Sequence, residues 1–404
     1  MRVLVSFVGG QGHFLPLVPL ARAAVEAGHD VAVTAGNSMA AAVAAAGFVS
    51  LPTVPGPPPD PAGRGPLLPV DMAREERDLR ELFARDGART RAAGLLDRID
   101  EWRPDVIVAD EADFGAVIAA ERRALPYATV SVLAAGGMVR PDVVAEALDE
   151  VRAEHGLPPD PALTALTRYL FLVPSPPSLR DPADPLPPTA HGYRAVSPDP
   201  AATAAAPPWR VTRPGQPALY VTLGTIFNVE SGDLFERVLA GVRDHPGDVL
   251  MTVGEELDPV ELGPRPDHVH IERFVPQAAV LPHVSAVVSH GGSGSVLGAL
   301  AHALPMVLLA MGADQPLNAA RCAALGVARA LDPVTATSDD IRGAVAGILA
   351  DDRARDEAVA LRDEMAALPP PAEALTLLER LAVERAPILA RRRGAARPAS
   401  RLGR

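Results

Sequence analysis

The 404-residue sequence predicts an α/β protein in which two doubly wound parallel sheets face a cleft. Three observations predict it. Short, near-continuous apolar runs alternate with amphipathic helical stretches, the pattern of strands covered on both faces by crossover helices. That alternation breaks at a Pro- and Ala-rich stretch, SPDPAATAAAPPWRVTRPGQP (197–217), and then starts again. Each half opens on a strand that runs into glycine, at Gly9-Gly10 and at Gly224, and the carboxyl ends of such strands are where open α/β sheets bind ligands.

In the first half, residues 2–8 (RVLVSFV) read as a strand, followed by a glycine-rich turn and a helix from about Leu15 to Ala27 that stops at Gly28. DVAVTA (30–35) is the second strand, and Ala40–Ala46 lies in the next helix. VIVAD (106–110), a helix through Ala119–Arg123 and YATVSV (127–132) continue the pattern. Residues 52–70 (PTVPGPPPDPAGRGPLLPV) are too rich in Pro and Gly for a regular element and read as a long loop ahead of a helical segment at 72–100. After the linker, 218–223, 248–253, 268–271, 286–289, 306–310 and 327–331 read as strands. Helices are expected near 232–243, 295–303, 315–325, 337–350, 353–367 and 371–384, the last packing back on the first domain. The division is therefore 1–205, 206–388 and a basic, disordered tail at 389–404.

Composition excludes several classes. Hydrophobic residues make up 48% of the chain, enough to fill a large core. The run VIVADEAD (106–113) resembles a helicase box, but a phosphate loop for such a motor ends in Gly-Lys-Ser/Thr, and this sequence has no lysine. The net charge of −12 likewise excludes a nucleic-acid groove. A lone cysteine, Cys322, forms no intrachain disulfide and fits a reducing cytoplasm. The opening apolar run is too short for a secretory signal, and no stretch is long enough to span a bilayer.

Two segments carry chemistry. AVVSHGGSGSVLGALAHALPMVLLA (286–310) is strand, Gly-rich turn, helix, strand, with Gly291, Gly292 and Gly294 allowing close backbone approach and His290 and Ser295 beside a helix N-terminus that suits an anion. The alternative is a plain β–α turn needing glycine only for positive φ. A dinucleotide fingerprint fits less well, because Gly292-x-Gly294-x-x-x-Gly298 is mis-spaced. In VGGQGHFLPLVPLA (8–21), His13 follows the glycines at the same kind of sheet edge, with an unperturbed pKa near 6.5 that suits a general base. Asp110 ends a strand at that edge and is a candidate partner for the other ring nitrogen of His13. Capping of the next helix is the competing role, and Glu111 and Asp113 are open to it too.

With GGQGHFLPLVPLARAAVEAGHDV (9–31), VTLGT (221–225) and ERFVPQAAVLPHVSAVVSHGGSGSVLGALAHALPMVLLAMGADQPLNAARCAALGVA (272–328) on the page, the sequence resembles the nucleotide-sugar-dependent glycosyltransferases of the GT-B fold. It is most similar to the bacterial members that decorate macrolides and aromatic polyketides. The resemblance implies two Rossmann-like domains, with the acceptor in the first and the donor in the second. It implies that His13 is the base and Asp110 its partner; that Phe274, Val275 and Gln277 bracket the nucleobase; that His290, Gly292, Gly294 and Ser295 hold the pyrophosphate, with Thr225 adding a contact; and that Asp314 and Gln315 read hydroxyls of the sugar. Relatives using UDP-sugars often carry a ribose-binding glutamate where this chain has Gly298, which favours a dTDP-sugar and leaves UDP open. Phe274 stands where plant relatives commonly have tryptophan.

The implied reaction is an inverting, metal-independent transfer of a sugar to a hydroxyl, or to an aromatic carbon, of a hydrophobic small-molecule acceptor. No cofactor beyond the donor substrate and no nucleic-acid partner is expected, and the sequence is compatible with a homodimer. A non-catalytic helper protein of the same fold, a nucleotide-sugar epimerase and a nicotinamide-dependent oxidoreductase are the rival readings.

Overall fold

The computed structural model describes residues 1–53, 65–195, 209–224 and 227–390. Most of the expected loop at 52–70, the first part of the linker, Thr225 and residues 391–404 of the expected tail lie outside them.

The first sheet contains β1 (Arg2–Ser6), β2 (Asp30–Thr34), β3 (Val49–Ser50), β4 (Val106–Asp110), β5 (Tyr127–Val130), β6 (Leu170–Val173) and β7 (Ala190–Gly192). Their order is β3-β2-β1-β4-β5-β6-β7, and every pairing is parallel. The second sheet contains β8 (Leu219–Thr222), β9 (Val249–Thr252), β10 (Val269–Glu272), β11 (Ala286–Ser289), β12 (Met306–Leu308) and β13 (Ala328–Ala330) in the order β10-β9-β8-β11-β12-β13, again all parallel. The expected pair of doubly wound sheets is present. Central strands are buried along their whole length, as in VIVAD at β4 and LYVT at β8, because helices cover both faces.

Three strands and two helices are absent from the expected elements: β3, β6, β7, Pro141–Glu154 and the short Gln277–Val280. β3 and β7 have only two and three residues and carry little apolar pattern of their own. The first long helix also begins later than expected, at Val18, behind a single turn at Gln11–Phe14 that carries His13.

The helical segment expected at 72–100 runs Met72–Asp78, Leu79–Gly87 and Ala88–Trp102, its middle portion π-helical. Asp71 caps it by accepting from Ala73 N and Arg74 N. A side chain at Gly87 would put its Cβ 2.4 Å from the Leu82 carbonyl oxygen, so the wide turn depends on glycine there.

Pro371–Glu384 packs back onto the first sheet. Ala374, Leu375, Leu378 and Leu381 form one stripe of the helix and join Val3, Val18 and Ala21 in a common core. Beyond it, Ile388 N donates to Tyr169 O at 2.7 Å.

In both sheets the order reverses at one place. The first sheet switches between β1 and β4, where Ser6 lies beside Ala109, and the second between β8 and β11, where Thr222 lies beside Ser289. The crevice outside the carboxyl ends of the strands at such a switch is the general ligand site of open α/β sheets.

Candidate active site

His13 and Asp110 flank the switch of the first sheet. His13 Nδ1 lies 3.3 Å from Asp110 Oδ2, and the carboxylate is fully buried while about a quarter of the imidazole is exposed. The Asp110 carboxylate is fixed by backbone on both sides: Val8 N donates to Oδ2 at 2.8 Å and Ala112 N to Oδ1 at 2.6 Å. Burial disfavours the imidazolium, but the charge and hydrogen bond of Asp110, with smaller contributions from Asp314 and Glu111, together hold the His13 pKa above its ordinary value.

The three carboxylates of VIVADEAD have separate tasks. Asp113 caps Phe114–Arg122 by accepting from Ala116 N, and it forms a buried ion pair with Arg91 at 2.6 Å while accepting from Ser6 Oγ at 2.6 Å. Arg91 also donates to Ser6 Oγ and to Thr53 Oγ1. Glu111 accepts from Ser131 Oγ, Val132 N and Leu133 N, and burial raises its pKa despite those bonds. The helix-capping role thus falls to Asp113, and Asp110 faces the histidine.

His290 and Gly224 flank the switch of the second sheet. The imidazole is wedged between glycines: a Cβ at Gly224 (φ +82°) would lie 2.6 Å from His290 Nε2, and one at Gly292 would lie 2.5 Å from it. Close approach is therefore the reason for both glycines, and Gly224 also needs its left-handed backbone. Burial pushes the His290 pKa down to about 4, against the opposing pull of the Thr222 backbone carbonyl. Behind this turn the helix Ser293–Ala301 presents its N-terminus, with no side chain capping it. A Cβ at Gly294 would meet nothing within 4 Å, so the first turn has open space on that side.

Gln277 Nε2 donates to Ser295 Oγ at 3.2 Å, joining the expected nucleobase and pyrophosphate positions directly. Phe274 is half exposed, and Val275 beside it is buried in the core. A Cβ at Gly298 would fall 3.1 Å from Leu281 Cδ1 and 3.3 Å from Gln277 Oε1, so a side chain there would press on Gln277.

Asp314 and Gln315 sit at the start of Gln315–Ala324. Gln315 is buried, and its Oε1 accepts from Met311 N at 2.8 Å. Asp314 Oδ2 accepts from Ser293 Oγ at 2.5 Å and from Asn318 Nδ2 at 2.8 Å. Burial raises the Asp314 pKa, the two hydrogen bonds only partly offset that rise, and the charge of His13 also acts on it. Ser293 and Asn318 are not among the expected site residues: Ser293 lies 21 residues before Asp314, and an amide one turn after it carries no local signature.

The two sheet edges face each other. Ala134 N, just beyond β5, donates to Ser293 Oγ at 2.7 Å, and Ala135 N donates to Asn318 Oδ1 at 3.1 Å. Glu75, on the helix Met72–Asp78, accepts from Ala313 N at 3.0 Å. His13 and the turn around Asp314 thus lie in one crevice. Thr225, the remaining expected donor contact, falls outside the described residues. Among the described residues, no group of three or more His, Cys, Asp or Glu side chains is arranged to hold a metal ion. No described helix is long and apolar enough to cross a membrane.

Comparison with known proteins shows the family and the fold. Residues 236–381 match the family model described as "Erythromycin biosynthesis protein CIII-like, C-terminal domain". Over 94% of its length and 99% of the relative's, the chain is 31% identical to 4'-demethylrebeccamycin synthase of Lentzea aerocolonigenes. The chain belongs to the natural-product glycosyltransferases of the GT-B fold. Among solved structures, the glycosyltransferase of kitacinnamycin superposes with a TM-score of 0.76 at 26% identity, covering 94% of this chain and 98% of its own. The spinosyn rhamnosyltransferase SpnG, complexed with thymidine diphosphate, superposes with a TM-score of 0.73 at 25% identity, covering 94% of this chain and all of its own. This glycosyltransferase therefore shares its two-sheet architecture with these structures.

Proposed function

We propose that this glycosyltransferase moves a deoxysugar from a dTDP-sugar to a hydroxyl, or an aromatic carbon, of a polyketide-like acceptor, with inversion at the anomeric carbon. The observation that carries the proposal is the buried, backbone-anchored Asp110 bonded to His13, in the same crevice as Asp314 and the cradle at His290. Residues 1–205 supply the acceptor side and the base, and 206–388 the donor side, with Pro371–Glu384 serving the first lobe structurally.

His13 Nδ1 donates to Asp110, which leaves Nε2 unprotonated and basic. As the acceptor oxygen attacks the anomeric carbon, its proton passes to His13 Nε2, the new C–O bond forms, and the bond from that carbon to the diphosphate oxygen breaks on the opposite face. Asp110 stabilises the imidazolium that results. Charge growing on the diphosphate meets the N–H groups at the start of Ser293–Ala301, the His290 ring and Ser295 Oγ. Phe274 stacks on thymine, and Gly298 leaves the sugar edge of the nucleoside without a carboxylate, as suits a deoxyribose. Asp314 and Gln315 read the hexose. The thymidine diphosphate bound to SpnG, and the spinosyn aglycone bound to the same enzyme in another structure, support the assignment of donor and acceptor classes.

Thermal-shift measurements with dTDP, UDP, ATP and NAD test the donor. Preferential stabilisation by dTDP is expected, since a ligand that binds only the folded state raises its stability. Selective stabilisation by NAD or ATP would overturn the donor assignment.

A further inference from the structure

We propose that Ser293 is a positioning residue that fixes the sugar-reading carboxylate of Asp314 and makes that placement depend on contact with the first lobe. The inference rests on the reading of Asp314 given above and adds the residue through which the lobes communicate with it.

The hydroxyl of Ser293 is buried and fully engaged. It donates to Asp314 Oδ2 at 2.5 Å, and it accepts from Ala134 N at 2.7 Å and from Asn318 Nδ2 at 3.2 Å. A hydroxyl has one proton and two lone pairs, so these three bonds saturate it. Asn318, also buried, shares the two protons of Nδ2 among Asp314 Oδ2, Gly291 O and, at the longest distance, Ser293 Oγ, and its Oδ1 accepts from Ala135 N. Both side-chain donors to Asp314 fall on Oδ2, which pins that oxygen and assigns Oδ1 to the hexose.

The backbone on the other side of Asp314 is held from the first lobe as well. Ala313 adopts φ +50°, a left-handed conformation that a residue with a Cβ adopts only where its surroundings hold it. Its N–H is bonded to Glu75 Oε2 at 3.0 Å. Three bonds from one lobe, from Ala134, Ala135 and Glu75, therefore converge on the turn and side chains that place a single carboxylate of the other. Buried networks of this kind act as a unit when every member is satisfied. Recognition of the sugar thus belongs to the closed crevice, whereas the nucleotide positions Phe274, Gln277 and Ser295 have none of these bonds.

Isothermal titration of the full chain with dTDP and with dTDP-glucose separates the two. In Ser293→Ala, affinity for dTDP-glucose should fall about tenfold, the range for loss of a hydrogen bond to a charged group, while affinity for dTDP stays within twofold. Ser293→Thr, which keeps the hydroxyl, should restore dTDP-glucose binding to within about threefold. Asp314→Ala is the reference for the underlying reading and should weaken dTDP-glucose binding at least as much. Unchanged affinities in Ser293→Ala beside a weakened Asp314→Ala would overturn the positioning role and leave the sugar-reading assignment standing. No effect in Asp314→Ala would overturn both. Equal weakening of dTDP and dTDP-glucose in Ser293→Ala would mean that Ser293 serves the diphosphate cradle directly, which also overturns the proposal, as would failure of threonine to rescue.

Discussion

Val8 and Asp110, 102 residues apart, are joined by a 2.8 Å bond from the Val8 N–H to Oδ2, the same oxygen that faces His13. The proposed base therefore faces a carboxylate that is itself anchored to the neighbouring strand end. Replacing His13 by Ala should lower transfer from dTDP-glucose to phenolic polyketide-like acceptors about 10²–10⁴-fold and leave dTDP affinity unchanged in calorimetry. Parallel loss of both would assign His13 a structural role instead.

The pH profile carries the sign of the His13 shift. In the proposed mechanism the neutral imidazole is the reactive form, so kcat/KM should rise with pH through a pKa above the ordinary histidine value, in keeping with the raised pKa of His13. Asp110→Asn removes the main influences that raise this pKa and leaves only the smaller contributions of Asp314 and Glu111 against burial, which lowers it. The acidic limb should then move to lower pH while the plateau falls, about 10⁴-fold where the tautomer is lost. A limb that stays in place would detach Asp110 from the base.

His290 should behave as a neutral donor throughout the working range, because burial holds its pKa near 4. Titrating dTDP-glucose into His13→Ala between pH 5.5 and 8 removes the other crevice histidine, and the diester diphosphate has no ionisation of its own near neutrality. Affinity should not fall as the pH rises over that range, since the remaining titratable contact, Asp314, would act in the opposite sense. A tenfold decline as the pH rises through about 6.5 would mean that His290 binds as a cation.

Phe274, half exposed, separates binding from folding. Phe274→Ala should leave the midpoint of unfolding almost unchanged, since little core is lost. It should weaken dTDP by about 1–3 kcal/mol, the usual worth of base–aromatic stacking. Calorimetry beside thermal denaturation checks both halves, and an unchanged dTDP affinity would remove Phe274 from the nucleobase site.

Arg91 and Asp113 form the opposite case, a pair with almost no exposed surface. Arg91→Ala strands the Asp113 carboxylate in the interior, and urea unfolding should show a loss of about 3–5 kcal/mol. A loss below about 1 kcal/mol would mean that Ser6 Oγ and the Ala116 N–H suffice for that carboxylate.

The sheets were legible because strands buried on both faces announce themselves without partners, as VIVAD and AVVS do. β7 was not, since Ala190–Gly192 is a strand only through its pairing with β6, where Phe171 meets Ala190. The same divide runs through the site. His13, His290 and the glycines lie in turns whose spacing is local, and the structure brings His13 and Asp110 together. The tasks of Arg91, Ser293 and Asn318 could not be read, because their partners are brought near only by the tertiary fold: Asp113 lies 22 residues from Arg91, and Ala134 and Ala135 lie 159 and 183 residues from Ser293 and Asn318. π-Helical winding at Leu79–Gly87 likewise had no visible cause beyond Gly87.

The return of Pro371–Glu384 to the first sheet governs how this enzyme can be recombined with its relatives. His29 on one segment and Glu379 on the other are only 2.8 Å apart, so a hybrid cut once in the Pro- and Ala-rich connector would seat a foreign helix against β1 and Val18–Glu26. Exchanging specificity modules therefore calls for two junctions, with residues 371–390 travelling alongside the amino-terminal portion.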